Sequence, residues 1–167
     1  MGRGDFYMKR KIKPKLLALC LAVPLAVGGL SAFLSLGGMD AFMQTAKQSP
    51  LTPPPAVFII VWTLLYLAMG LASYLVLTSR APAPEVDEAM RKYGIQLAFN
   101  FFWSILFFGM MAYLFSFVWL VGLWIAIAAN LAAFYRISKP AGLLLVPYLL
   151  WVSFAGYLNL SVYLMNR

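Results

Sequence analysis

Five stretches of this chain are long, apolar and free of charge, and no other feature constrains its fold as much. They run Leu16–Leu36, Ala56–Thr78, Tyr93–Phe115, Phe117–Tyr135 and Ala141–Met165, and none holds an Asp, Glu, Lys or Arg. An apolar helix of about 20 residues crosses the hydrocarbon core of a bilayer. In lipid every backbone N–H and C=O needs an internal partner, which a helix supplies and an open strand does not. Hydrophobic residues make up 63% of the 167 positions and charged ones 11%, more apolar surface than a soluble domain of this size buries. The expected fold class is an all-α membrane protein: a five transmembrane helix bundle, residues 16–167, behind a basic segment, residues 1–15.

The formal net charge is +8. With the N-terminus placed in the cytoplasm, eleven of the thirteen Lys and Arg residues fall inside: Arg3, Lys9, Arg10, Lys11, Lys13, Lys15, Arg80, Arg91, Lys92, Arg136 and Lys139. Lys47 and Arg167 fall outside. That asymmetry is the positive-inside pattern, and it accounts for the charge without nucleic acid. The basic N-terminus is then expected beside anionic lipid headgroups, and the C-terminus on the opposite side of the membrane.

The chain has no His and one Cys, Cys20, which excludes His-ligated metals, His-based triads and an internal disulfide. No charge lies within a span, so an ion-coupled pump lacks its usual intramembrane carboxylate. No Walker A motif is present. The expected set of metal ligands and resident cofactors is therefore empty.

The longest connection, residues 37–55, reads GGMDAFMQTAKQSPLTPPP. Its start is flexible and its Pro-rich end stiff. It reads as a linker or as a lid over a pocket mouth. In the connection before the third span, EVDEAMRK could start that helix early.

What remains for chemistry is amides and aromatics. Gln96, Asn100 and Trp103 follow i, i+4, i+7 spacing and share one helix face. Trp151, Ala155 and Asn159 share another. Amides in a span are costly unless they face the bundle interior, where they are interhelical hydrogen-bond partners or pocket walls. Asn100 and Trp151 near the centres of their spans, with Trp62 further towards the loop side, favour a pocket, since indoles wall a flat ligand well. Trp119 and Trp124 read as an interfacial belt or a dimer contact. Gly122, Ala126, Ala129 and Ala133 approximate a small-xxx-small packing pattern. Leu160, Tyr163 and Arg167 fit a loose sterol-contact pattern, which ordinary interface anchoring explains better.

Three motifs carry a resemblance. They are Pro53-Pro54 followed by Val61-Trp62-Thr63-Leu64-Leu65-Tyr66-Leu67-Ala68-Met69-Gly70, then Gln96-Leu-Ala-Phe-Asn100-Phe-Phe-Trp103-Ser104, then Pro147-Tyr148-Leu-Leu-Trp151-Val-Ser-Phe154-Ala155 with Leu158-Asn159. In this order, on a five-span pattern, the chain resembles the TspO/translocator protein family from Leu16 onward. One departure is Leu51, where the family usually has Trp. The resemblance implies a five-helix bundle, commonly a homodimer, with a pocket closed by the first loop. It implies binding of porphyrins, notably protoporphyrin IX, of isoquinoline and benzodiazepine-type ligands and, in mitochondrial members, of cholesterol. The implied ligand-binding residues are Pro53, Pro54, Trp62, Tyr66, Gln96, Asn100, Trp103, Trp151, Phe154, Ala155 and Asn159. The resemblance also implies a reported light-dependent porphyrin breakdown in which Trp62 and Trp151 would be catalytic. Carrier or sensor, photo-oxidative enzyme and ligand-regulated scaffold are the three functions this reading carries.

Overall fold

The computed structural model describes residues 12–167. Of the basic segment, residues 1–11 lie outside the described residues, and Lys13 and Lys15 within them. The elements are α1 Pro14–Thr45, α2 Pro55–Leu77, α3 Ala83–Ser104, a π-helical turn Ile105–Gly109, α4 Tyr113–Ile137, α5 Lys139–Leu143 and α6 Val146–Met165. Four runs are long and apolar enough to cross a membrane: Pro14–Thr45, Pro55–Leu77, Tyr113–Ile137 and Lys139–Met165. Among the described residues all regular structure is helical, and the chain is an integral membrane protein. Helix α3 falls short of that composition because its first turns carry Glu85, Asp87, Glu88, Arg91 and Lys92.

Proline sets several helix starts, where its missing N–H would be unpaired anyway. Pro14 opens α1 and Pro55 opens α2, after Pro54 in an extended conformation at φ −56° and ψ 149°. Pro82 leads into α3 in the same way, at φ −54° and ψ 140°. The early start of α3 places Glu88 one turn before Lys92, and the two pair at 2.7 Å on an exposed face. The hydrogen bond from Lys92 holds the Glu88 carboxyl below the usual carboxylate range.

Three boundaries differ from the sequence reading. Helix α1 does not stop at Leu36 but continues to Thr45, through Gly37 and Gly38. Gly38 lies against the Phe108 backbone carbonyl. Beyond it Phe42 packs on Phe107, Phe108 and Tyr113 at ring separations of 5.2, 5.3 and 6.2 Å. Tertiary packing thus outweighs the weak helix propensity of the glycines, and the loop shortens to residues 46–54. Helix α3 gives way to the π turn, and the turn into α4 is Met110–Ala112 rather than near Ser116. Met111 there has φ 50°. The run 141–165 is broken between Leu143 and Val146, where Pro147 has no N–H to offer the Leu143 carbonyl.

Helices α1 and α2 approach closely because glycines face the contact. A Cβ on Gly28 would run into the Tyr66 ring, and one on Gly70 would sit 2.6 Å from the Cys20 carbonyl oxygen. Helix α1 is tied to the α3 side by Ser31, whose hydroxyl donates to the Phe101 carbonyl at 2.6 Å, and by Ser104 donating to Ser35 at 3.1 Å. Helix α3 packs on α4 and α4 on α6, whereas α2 packs on α1. Gly122 of the small-residue pattern faces inward, where an added Cβ would lie 2.9 Å from the Phe99 ring. Trp119 stacks on that ring at 4.6 Å and donates its indole N–H to the Phe99 carbonyl at 2.8 Å. Trp124 is 39% exposed and donates to Ser153 at 2.9 Å.

Candidate functional site

Helices α2, α3 and α6 bring the aromatic and amide residues together through one hydrogen-bond chain. The Tyr66 hydroxyl donates to Asn100 Oδ1 at 2.8 Å. Asn100 Nδ2 donates to the Tyr148 hydroxyl at 3.0 Å, and that hydroxyl donates to Gln96 Oε1 at 3.0 Å. Asn100, Gln96 and Tyr148 are all buried. A buried amide without partners costs about 1–3 kcal/mol, so a chain that satisfies several groups at once stabilises one helix arrangement. Trp62 lies over this chain. Its ring stacks on Tyr66 at 5.6 Å, tilts against Trp103 at 6.1 Å and meets the edge of Tyr148 at 6.2 Å.

A second knot lies towards the loop end. Trp103 donates its indole N–H to Asn159 Oδ1 at 3.2 Å. The same oxygen accepts from the Ser116 hydroxyl at 3.1 Å, and Asn159 Nδ2 donates to the Tyr113 carbonyl at 2.8 Å. Asn159 thereby fastens α6 to α3 and to the start of α4. Ala155, one turn below, is 3% exposed and presents only a methyl group.

Trp151 is set differently from the other two tryptophans. Its ring is half-buried and packs edge-on against Phe58 of α2 at 5.6 Å, and against Phe154 at 5.6 Å. Its Nε1 is buried and, among the described residues, has no hydrogen-bond partner. Phe154 stacks on Tyr157 at 6.4 Å, and the Tyr157 and Ser49 hydroxyls lie 3.4 Å apart. The loop is also held by Asn166. Its Oδ1 accepts from the Lys47 N–H and its Nδ2 donates to the Lys47 carbonyl, both at 2.9 Å. Pro53 is half-buried and Pro54 exposed where this loop enters α2. Leu160 and Tyr163 are half-buried and Arg167 exposed at the end of α6.

The arrangement is neutral: ring faces, amides and hydroxyls, with no acidic or basic side chain among the residues just named around Trp62 and Trp151. It suits recognition of a flat apolar molecule with a few polar atoms.

Over residues 20–164 the chain matches the family model described as the TspO/MBR family. It belongs to that family. It is 42% identical over 150 residues to the "Tryptophan-rich protein TspO" of Chlorobaculum tepidum, covering 90% of this chain and 95% of the relative. The protein of the same name from Archaeoglobus fulgidus is 37% identical, over 91% of this chain and 97% of its own. The "Translocator protein" of Bos taurus is 32% identical, over 87% and 86%. In this TspO/MBR chain sequence reasoning left Tyr148, Phe58, Tyr113 and Ser116 out of the site. Tyr148 stands three positions before Trp151 and seven before Ala155, so helix periodicity places it near the same face, yet a tyrosine in a span gives no signal of its partners. Phe58 stands four before Trp62 and eight before Tyr66, so helix periodicity places it on their face, and its contact with Trp151 joins it to the site.

Proposed function

We propose that this chain binds a planar tetrapyrrole, of which protoporphyrin IX is the type, between α2, α3 and α6, and that it acts as a carrier or stress sensor. The observation that carries this reading is Trp62, stacked on Tyr66 and set against Trp103 and Tyr148, over the Asn100–Tyr148–Gln96 chain, with Trp151 beside Phe58 at the neighbouring edge of α2 and α6. Indole faces take up a flat macrocycle through dispersion and offset stacking. The amides and hydroxyls offer donors and acceptors for pyrrole nitrogens or propionates. Family membership and the word "translocator" in a relative's name support a small-molecule binding role. Because Trp62 rests on Tyr66 and Trp103, a macrocycle is accommodated by parting these rings, with Ala155 leaving room on α6.

In this reading α3 together with the π turn is a fifth membrane crossing, its charged first turns lying at the cytoplasmic surface with the N-terminus. The loop 46–54 and the end of α6 then share the opposite surface. Isoquinoline or benzodiazepine-type molecules and sterols belong to the same class of flat apolar ligand, and a homodimer is the assembly proposed. The test is a titration of the purified protein in detergent with protoporphyrin IX, first in the dark and then under light. Saturable quenching of tryptophan emission in the dark is the expected result, with porphyrin absorption bands that stay as stable under light as in a protein-free control. No saturable quenching would overturn the tetrapyrrole reading. Faster loss of the bands than in the control would replace carrier with photo-oxidative breakdown.

A further inference from the structure

Helices α2 and α6 flank the candidate site, yet they do not pack closely along their length. Helix α2 packs on α1 and touches α5, and α6 packs on α4. Two aromatic contacts span the seam between them: Phe58 against Trp151 at 5.6 Å, and Trp62 against Tyr148 at 6.2 Å. Phe58 and Trp151 are both half-buried, so one side of each ring faces outward, where the surroundings are apolar. Ile59, Ile60 and Leu64 on α2 and Leu150 on α6 are exposed large hydrophobics of the kind that meets lipid.

The Trp151 ring can turn without breaking a hydrogen bond, because its buried Nε1 has no partner among the described residues. The loop end of the bundle is the opposite case. Opening there separates Asn166 from both backbone atoms of Lys47, and Ser49 from Tyr157. The side route parts the Phe58–Trp151 ring contact and, among the described residues, breaks no side-chain hydrogen bond between α2 and α6, while the loop route breaks a paired amide clamp. A planar apolar molecule also concentrates in the bilayer rather than in water, so it meets the seam before it meets the loop.

We propose that the ligand reaches the site sideways from the bilayer, through the seam between α2 and α6, and that Phe58 and Trp151 form the door. This rests on the ligand class put forward above. The acceptor-seeking edge of Trp151 faces inward, so the door presents hydrocarbon to lipid and an N–H to what has passed it.

The test compares the wild-type chain with Phe58→Ala and Asn166→Ala, each held in lipid nanodiscs, by the rate at which protoporphyrin IX from donor vesicles quenches tryptophan emission. Phe58→Ala is expected to raise association and dissociation rates together by about threefold or more, and Asn166→Ala to leave both unchanged. Rates that ignore Phe58→Ala, or that rise with Asn166→Ala instead, overturn the side route. Phe58→Leu serves as a milder second variant should Phe58→Ala not fold. A second measurement needs no porphyrin. In bilayers of brominated-acyl phosphatidylcholine, Phe58→Ala is expected to increase quenching of tryptophan emission, and the added change Trp151→Phe to remove that increment. An unchanged quenching in Phe58→Ala overturns the door. If protoporphyrin IX does not bind the wild-type chain at all, the tetrapyrrole reading fails and the brominated-lipid result decides the seam alone.

Discussion

Asn100 donates to the Tyr148 hydroxyl across 3.0 Å, and that one oxygen ties an amide near the C-terminal end of α3 to the first turn of α6. The same hydroxyl donates to Gln96 at 3.0 Å. Removing it leaves an N–H and a carbonyl oxygen buried without partners. Tyr148→Phe is therefore expected to destabilise the folded protein by about 1–2 kcal/mol, towards the upper end for a hydrogen bond in a membrane bundle. Unfolding in mixed micelles measures this. A variant as stable as the parent would mean that water or a shifted side chain replaces the phenol.

Trp151→Phe tests the reverse situation. The indole N–H is buried without a partner among the described residues, so its loss removes no hydrogen bond. Stability is expected to change by less than about 1 kcal/mol, the volume difference being the larger contribution. The same variant separates functions. A carrier loses affinity, whereas a photo-oxidative enzyme keeps binding in the dark and loses breakdown of the porphyrin bands under light.

Ala155 is 3% exposed and stands one turn after Trp151 and one turn before Asn159 on α6. Ala155→Phe fills the space a macrocycle would use. It is expected to weaken protoporphyrin IX binding at least about tenfold, roughly 1.4 kcal/mol, in a protein that still folds. Unchanged affinity by fluorescence titration would remove Ala155 from the site.

Gly28 acts on the site from a distance. A side chain there would run into the Tyr66 ring, and Tyr66 holds Asn100 Oδ1 at 2.8 Å and stacks on Trp62 at 5.6 Å. Gly28→Ala is expected to displace Tyr66, costing about 1–3 kcal/mol as an overpacked contact. Gly29→Ala, where an added Cβ meets nothing within 4 Å, is the control and is expected to be near neutral. Equal melting temperatures for the two variants would contradict this account.

Much was legible from the chain alone. Hydropathy and backbone hydrogen bonding act over one or two turns, so the apolar runs specified helices, and the lack of charge within them specified a membrane setting. Helix periodicity put Gln96, Asn100 and Trp103 on one face and Trp151, Ala155 and Asn159 on another. Other outcomes were decided only when helices met. Helix α1 runs through Gly37 and Gly38 because Phe42 finds three aromatic partners far along the chain. Asn159 pairs with the Trp103 indole, and the Tyr148 hydroxyl bridges the two α3 amides. Helix α2 lies on α1 because glycines at positions 28 and 70 permit that contact. Each of these depends on register between segments remote in sequence. Register is set by which small and large side chains interlock, and local patterns of hydropathy carry no record of it.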